Sequence, residues 1–306
     1  FGSSNCGSSA QANTAFPEPL PPGFLPDSAP LPSWGSAHSC RSASAPATPV
    51  TAKTLLEDVQ KTTSTSVKKV GFANDQQTRL AVVTGANRGI GLELCEQLKA
   101  SGYSVVAACR TASPALQALG VEVAEGVDVT KVDSLDALAS ACEGRTVDIL
   151  INNAGLLTVE SLDQMDFENV RKQFEVNAIG PLAVTWKLRP FLADGSKVAI
   201  VSAAFGSIAD NTGTPALYGY RMSKAAVNMA GVQLALDLKA SNVAVGLYHP
   251  GLVETDMTAG LGVKAGENGN VDTRAAAEGL LKHVDLLDVS STGCFLNVIT
   301  GEALRF

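Results

Sequence analysis

The chain has 306 residues, carries a formal net charge of −7 and is 17% charged. That acidic balance argues against a nucleic-acid partner, because a phosphate backbone is bound by clustered Lys and Arg. No apolar run reaches the ~18 residues needed to cross a bilayer, so the sequence predicts a soluble protein that is not membrane-spanning.

Residues 1–75 differ from the rest. Nine of the fourteen prolines fall in the first fifty positions, and Ser and Ala fill much of the remainder. Such a segment cannot bury enough apolar surface to offset its ordering entropy, and it reads as a disordered tail. Phe16, Phe24 and Trp34 are spaced along it as points for docking on a larger assembly, although scattered aromatics in proline-rich tails are more often incidental. The first residue is Phe rather than Met, as in a processed form or a fragment. The stretch 39–45 is rich in hydroxyls and alanine and poor in acids, like part of an organellar transit region, but arginine is scarce in it.

Residues 76–306 predict a single α/β domain. Seven short apolar runs recur at 79–84, 104–109, 121–127, 147–151, 197–202, 243–248 and 293–298. Helix-period segments lie between them, near 89–101, 132–142, 166–190, 218–240 and 272–287. This alternation predicts a doubly wound Rossmann fold: a seven-stranded parallel sheet with helices on both faces and a ligand crevice past the carboxyl ends of the strands.

The first strand leads into Thr84-Gly85-Ala86-Asn87-Arg88-Gly89-Ile90-Gly91. Gly85 lets the backbone turn, Gly89 lets it approach a pyrophosphate, and Gly91 lets the helix press on the strand, so the phosphates meet free N–H groups at the helix N-terminus. The second strand ends in Cys109-Arg110 rather than in an acid. An acid there would bind the ribose diol of NAD, whereas Arg110, with Arg88 as a second cation, suits the 2′-phosphate of NADPH. Tyr220 and Lys224 are four residues apart on one helix face, where an ammonium favours a phenolate over a phenol that normally titrates near pH ~10. The six cysteines form no CxxC pair and read as small buried hydrophobes in a reducing compartment, the cytoplasm or an organelle stroma such as that of a plastid. The three histidines are far apart, so no metal site is expected.

The glycine turn, Asp128-Val129, Asn152-Asn153-Ala154-Gly155, Asn177, Tyr220, Lys224 and Pro250-Gly251 together resemble the short-chain dehydrogenase/reductase family in order and spacing, over roughly residues 78–306. The stretch 206–211, Tyr220-Arg221, His249-Pro250-Gly251 with Thr255-Asp256-Met257, and Phe295-Leu296-Asn297 are similar to the C-factor and sniffer-type carbonyl reductase branch. The resemblance implies hydride transfer from NADPH to a small-molecule carbonyl (an aldehyde, ketone or quinone), with Tyr220 as proton donor. Lys224 would lower the tyrosine pKa and hold the nicotinamide ribose, and Asn177 would fix a water that relays protons to Lys224. Asp128 would bind the adenine amine, with helix capping as its other reading. Val129, Asn153, Ala154 and Gly155 would border the nucleosides, and Pro250, Gly251, Val253 and Thr255 the carboxamide and pyrophosphate. Helices 166–190 and 218–240 commonly pair subunits in this family, and the loop 258–271 would cover the pocket with an apolar wall.

One group departs from the pattern. Where the family carries Ser-Ser-x-x-Gly, this chain has Ser202-Ala203-Ala204-Phe205-Gly206, so Ala203 stands where a serine would polarise the carbonyl. Ser202 should point to the opposite face, and Ser207 could enter only if the loop bends differently. Losing one such donor costs on the order of 10²- to 10³-fold in rate. Two expectations compete: an NADPH-dependent reductase with a weakened or relocated donor, or an inactive member serving as an NADPH-binding or structural subunit.

Overall fold

The computed structural model describes residues 78–211, 213 and 216–306. The proline-rich segment, with Phe16, Phe24, Trp34, Cys6 and Cys40, lies outside the described residues, as does the docking role read from it.

Seven parallel strands form one sheet: β1 (Leu80–Thr84), β2 (Ser104–Cys109), β3 (Glu122–Glu125), β4 (Val147–Asn152), β5 (Lys197–Val201), β6 (Ala244–His249) and β7 (Cys294–Asn297). Their spatial order is β3-β2-β1-β4-β5-β6-β7. The chain reverses direction across the sheet between β1 and β4, and in such a sheet a crevice opens there beyond the carboxyl ends. The central strands read as unbroken apolar runs because both faces are covered; all five residues of β1 are buried.

Helices α1 (Gly89–Ala100), α2 (Pro114–Ala118) and α7 (Thr273–Leu286) cover one face. Leu94 and Leu98 of α1 meet Leu116 of α2 and Leu280 and Val284 of α7 there. Helices α3 (Leu135–Ala141), α5 (Gly180–Leu188) and α6 (Tyr218–Leu238) cover the other, through Leu138, Val184, Leu188, Val227 and Leu238. The short α2, begun by Pro114 and capped by Ser113, was not among the expected elements because five residues are too few for a helical period to register.

The segment expected as one helix over 166–190 is divided. Helix α4 (Phe167–Phe174) passes into a π turn at Glu175–Ile179, and α5 follows. Gly180 N–H donates to Glu175 O, one residue further back than in an α-helix. Pro181 then supplies no N–H, so the carbonyl of Asn177, four residues earlier, has no α-helical donor.

Candidate active site

One cleft of about 720 Å³ opens at the carboxyl edge of the sheet. Every residue expected to hold the cofactor lines it: Gly85, Asn87, Arg88, Gly89, Ile90 and Gly91 from the first turn, then Arg110, Asp128 and Val129, then Asn153, Ala154 and Gly155. Tyr220 and Lys224 join them from α6, and Pro250, Gly251, Val253 and Thr255 from the loop after β6. Asn177 is not in the lining but lies beneath it.

The first turn is built for close approach. Gly85 has φ +66°, and a Cβ there would sit 2.8 Å from Ala154 Cα. A Cβ on Gly91 would fall 2.2 Å from the Gly85 carbonyl oxygen, which no side chain could survive without moving the backbone. Asn153 ties this turn to β4: its Nδ2 donates to Thr84 O at 3.0 Å and Gly85 O at 3.3 Å, while Thr84 Oγ1 accepts from the N–H groups of Asn153 and Ala154, each at 3.1 Å. Arg88, the residue before α1, is extended and makes no side-chain cap, so the first-turn N–H groups of α1 are left for an acceptor in the cleft. These residues fit the pyrophosphate of a dinucleotide.

The two cations differ in their surroundings. Arg110 is exposed at the rim. Arg88 Nη1 lies 3.0 Å from Asp256 Oδ2, an ion pair that joins the first turn to the loop after β6. Asp128 Oδ1 accepts from Thr130 N at 3.1 Å and Thr130 Oγ1 at 2.8 Å, which closes its own turn rather than capping a helix. Burial alone would raise its carboxyl, but the Thr130 hydrogen bonds, Lys131 and Arg110 together hold it below the ordinary carboxylate value.

Tyr220 and Lys224 share a face of α6, with the ammonium 5.6 Å from the phenol ring centroid. Lys224 is 4% exposed and donates to Val201 O at 2.7 Å. Burial lowers its pKa to about 8 and raises that of Tyr220 above the usual value for a phenol. The expected lowering of the tyrosine by its neighbour is therefore reversed in this geometry. A cation that is itself poorly solvated and turned toward a carbonyl does not offset the phenol's own desolvation. The end of β6 adds His249, pushed down to about 4 by burial and by Lys224, with its Nδ1 lacking a hydrogen-bond partner among the described residues.

A stability consequence follows from Lys224. The unfolded lysine titrates near 10.5 and the folded one near 8, so between those values the unfolded chain binds more protons and stability rises with pH. The wild type should gain stability on a Lys224→Met variant between about pH 8 and about pH 10 in urea unfolding; parallel curves would contradict it.

Asn177 Nδ2 donates to Leu156 O at 2.8 Å and Ser223 Oγ at 3.0 Å, and its Oδ1 accepts from Leu156 N at 2.8 Å. Its side chain thus fastens the loop after β4 to α6. Ala203 lines the cleft, while Ser202 Oγ donates to Asn228 Oδ1 at 2.5 Å inside the core and Ser207 Oγ accepts from Asp210 N at 2.9 Å. Both serine hydroxyls are committed to protein partners. Sequence reasoning missed Phe205, a cleft residue whose ring stands edge-on to Tyr220 at 6.5 Å with the Arg221 guanidinium 4.6 Å from its centroid. From the covering loop, Thr258 and Leu261 reach the lining, and a bridge between Val253 and Val271 closes the loop's base.

The strand order and the crevice it opens are those of Rossmann-type nucleotide-binding oxidoreductases. Within that class the chain belongs to the short-chain dehydrogenase family, whose family model matches residues 79–265. It is 38% identical over 216 residues to 1-hydroxy-2-glutathionyl-2-methyl-3-butene dehydrogenase of Rhodococcus sp. (strain AD45), covering 70% of this chain and 94% of that protein. C-signal of Myxococcus xanthus is 37% identical over 161 residues, covering 52% of this chain and 92% of C-signal. Among solved structures, the NADPH-bound carbonyl reductase from chicken fatty liver superposes with a TM-score of 0.67 at 27% identity, over 75% of this chain and 99% of the reductase. Among the described residues no helix is long and apolar enough to cross a membrane.

Proposed function

We propose that this protein is an NADPH-dependent oxidoreductase that reduces the carbonyl of a small-molecule aldehyde, ketone or quinone, with Tyr220 as proton donor. The observation that carries the reading is the meeting of Tyr220 and Lys224 with the uncapped N-terminus of α1 in one cleft. Bound NADPH supplies the hydride. Tyr220 holds its proton until it meets a carbonyl oxygen, because burial favours the neutral phenol. Lys224, behind it, is the group to hold the nicotinamide ribose, and Asn177 would fix a water that relays protons to Lys224. Asp128, Val129, Asn153, Ala154 and Gly155 would border the nucleosides, and Pro250, Gly251, Val253 and Thr255 the carboxamide and pyrophosphate. NADPH oxidation assayed against a panel of aldehydes, ketones and quinones tests the reading; no turnover and no NADPH affinity would end it.

The preference for NADPH rests on Arg110, with Arg88 beside it. Arg110→Ala should weaken NADPH binding about 10- to 100-fold, as expected for losing a hydrogen-bonded charge pair, and leave NADH binding nearly unchanged in fluorescence titrations. Equal weakening of both nucleotides would contradict the assignment.

The inactive-subunit reading draws on Ala203, but a chain relieved of catalysis has no need to keep Tyr220, Lys224 and Asn177 in register. A slow enzyme accounts for both facts. A homo-oligomer is supported by exposed apolar side chains along two adjacent helices, Leu182 and Trp186 of α5 with Met222, Met229 and Leu236 of α6. A reducing compartment, cytoplasm or organelle stroma, suits the thiols, which burial pushes up to about 12 at Cys95 and about 11 at Cys142.

A further inference from the structure

The helix that carries Tyr220 begins in a way that its own residues do not explain. Ala216 and Leu217 precede it with φ of 75° and 61°, a left-handed conformation in which non-glycine residues are strained. Leu217 occupies the N-cap position and has no side-chain oxygen to receive the first-turn N–H groups. One of those groups, Gly219 N–H, donates instead to Glu160 Oε2 at 3.2 Å, from 59 residues earlier in the chain.

Glu160 lies in the loop between β4 and α4 and is 1% exposed. Its other carboxylate oxygen accepts from Gln173 Nε2 at 2.8 Å and from Thr158 Oγ1, while its main-chain carbonyl accepts from Leu217 N at 2.9 Å. Gln173 Oε1 accepts in turn from Thr158 N at 3.1 Å. Three donors thus converge on one buried carboxylate, which stands at the positive end of α6. The approach depends on Gly219: a Cβ there would lie 2.2 Å from Gln173 Nε2 and 3.0 Å from Val170 Cα. The residue after Gly219 is Tyr220.

We propose that Glu160 is the N-terminal cap of the catalytic helix, supplied from another element, and that it positions Tyr220 without touching substrate or cofactor. The loop that carries it also carries Leu156 and Leu157, which line the cleft. Leu156 is fastened separately by Asn177, so Glu160 acts on the helix of the phenol rather than on the cleft wall. The kinetic side of this inference rests on the proposed reductase activity; the structural side does not.

The test uses the full chain. Glu160→Gln keeps the shape but exchanges one acceptor oxygen for an NH₂ donor, so whichever way the amide turns, a donor faces either Gly219 N–H or Gln173 Nε2. Deuterium uptake across 217–224 should speed up at least about fivefold and kcat fall about tenfold, as for a lost cap, with the NADPH Kd unchanged within about twofold. The double variant Glu160→Gln/Gln173→Glu returns an acceptor to Gly219 N–H and pairs the amide NH₂ with a carboxylate, leaving only the Thr158 hydroxyl to turn and accept, and should recover both readouts. In a Tyr220→Phe background, Glu160→Gln should alter residual kcat by less than about twofold, because the group it positions is gone.

Unchanged uptake across 217–224, or a kcat loss that persists undiminished without the phenol, would overturn the proposal. So would a loss traced to weaker NADPH binding. Should Glu160→Gln not fold, the double variant decides: wild-type uptake supports the cap, and failure to fold overturns it. If the wild type reduces no carbonyl, the functional reading falls alone, and the exchange measurement still judges Glu160.

Discussion

Tyr220→Phe should lower kcat for carbonyl reduction by about 10²- to 10⁴-fold while leaving NADPH affinity within about twofold, since proton transfer by a positioned acid contributes that much and binding does not need the hydroxyl. The change removes one oxygen from a residue otherwise held by its neighbours: the edge-on contact of its ring with Phe205 and the bond from Ser223 Oγ to its main-chain carbonyl at 2.8 Å both survive it. The substitution is therefore a test of chemistry rather than of folding. Stopped-flow measurement of NADPH oxidation, paired with nucleotide titration, separates the two. Comparable turnover in the variant would move the acid to another group, and His249, neutral and next to Lys224, would be the first to examine.

Ala203→Ser should raise kcat by about 10²-fold, toward the rate that a second donor to the carbonyl oxygen supplies. The backbone at 203 is extended, with φ −152° and ψ 147°, a conformation any residue adopts, so serine enters without strain. Its hydroxyl would have no rival, because Ser202 is spent on Asn228 and Ser207 on Asp210. A gain in kcat with little change in KM would mark the new hydroxyl as acting in the transition state rather than in substrate binding. An unchanged kcat would mean that the carbonyl oxygen is not held at this point of the cleft, and that Tyr220 alone polarises it. A variant that binds NADPH yet stays inert in both forms would restore the non-catalytic reading.

The architecture was legible because its signals are local. Apolar runs bounded by turns, a glycine spacing that only a strand-turn-helix corner requires, and two reactive side chains one helical turn apart each depend on residues close in the chain. The segment 166–190 shows where such signals stop. Its apolar periodicity is continuous, but Pro181 withdraws an N–H at a point where Gly180 must pack against Val129, and the helix takes a π turn instead. The residues expected to border a cofactor were named because their motifs are short, and they line one cleft, whereas Glu160 went unnoticed as one acid in a loop.

The amino-acid sequence by itself determined the parallel sheet, the position of the glycine turn, the Tyr220–Lys224 pair and the presence of Ala203 after the fifth strand, all matters of residue type and spacing. Only the tertiary structure decided which way burial moves the tyrosine, that Arg88 is met by Asp256 from 168 residues away, that Ser202 and Ser207 are already engaged, and that Glu160 caps the helix of Tyr220. Desolvation and long-range hydrogen bonds are properties of what surrounds a group after packing, and no spacing along the chain encodes those surroundings.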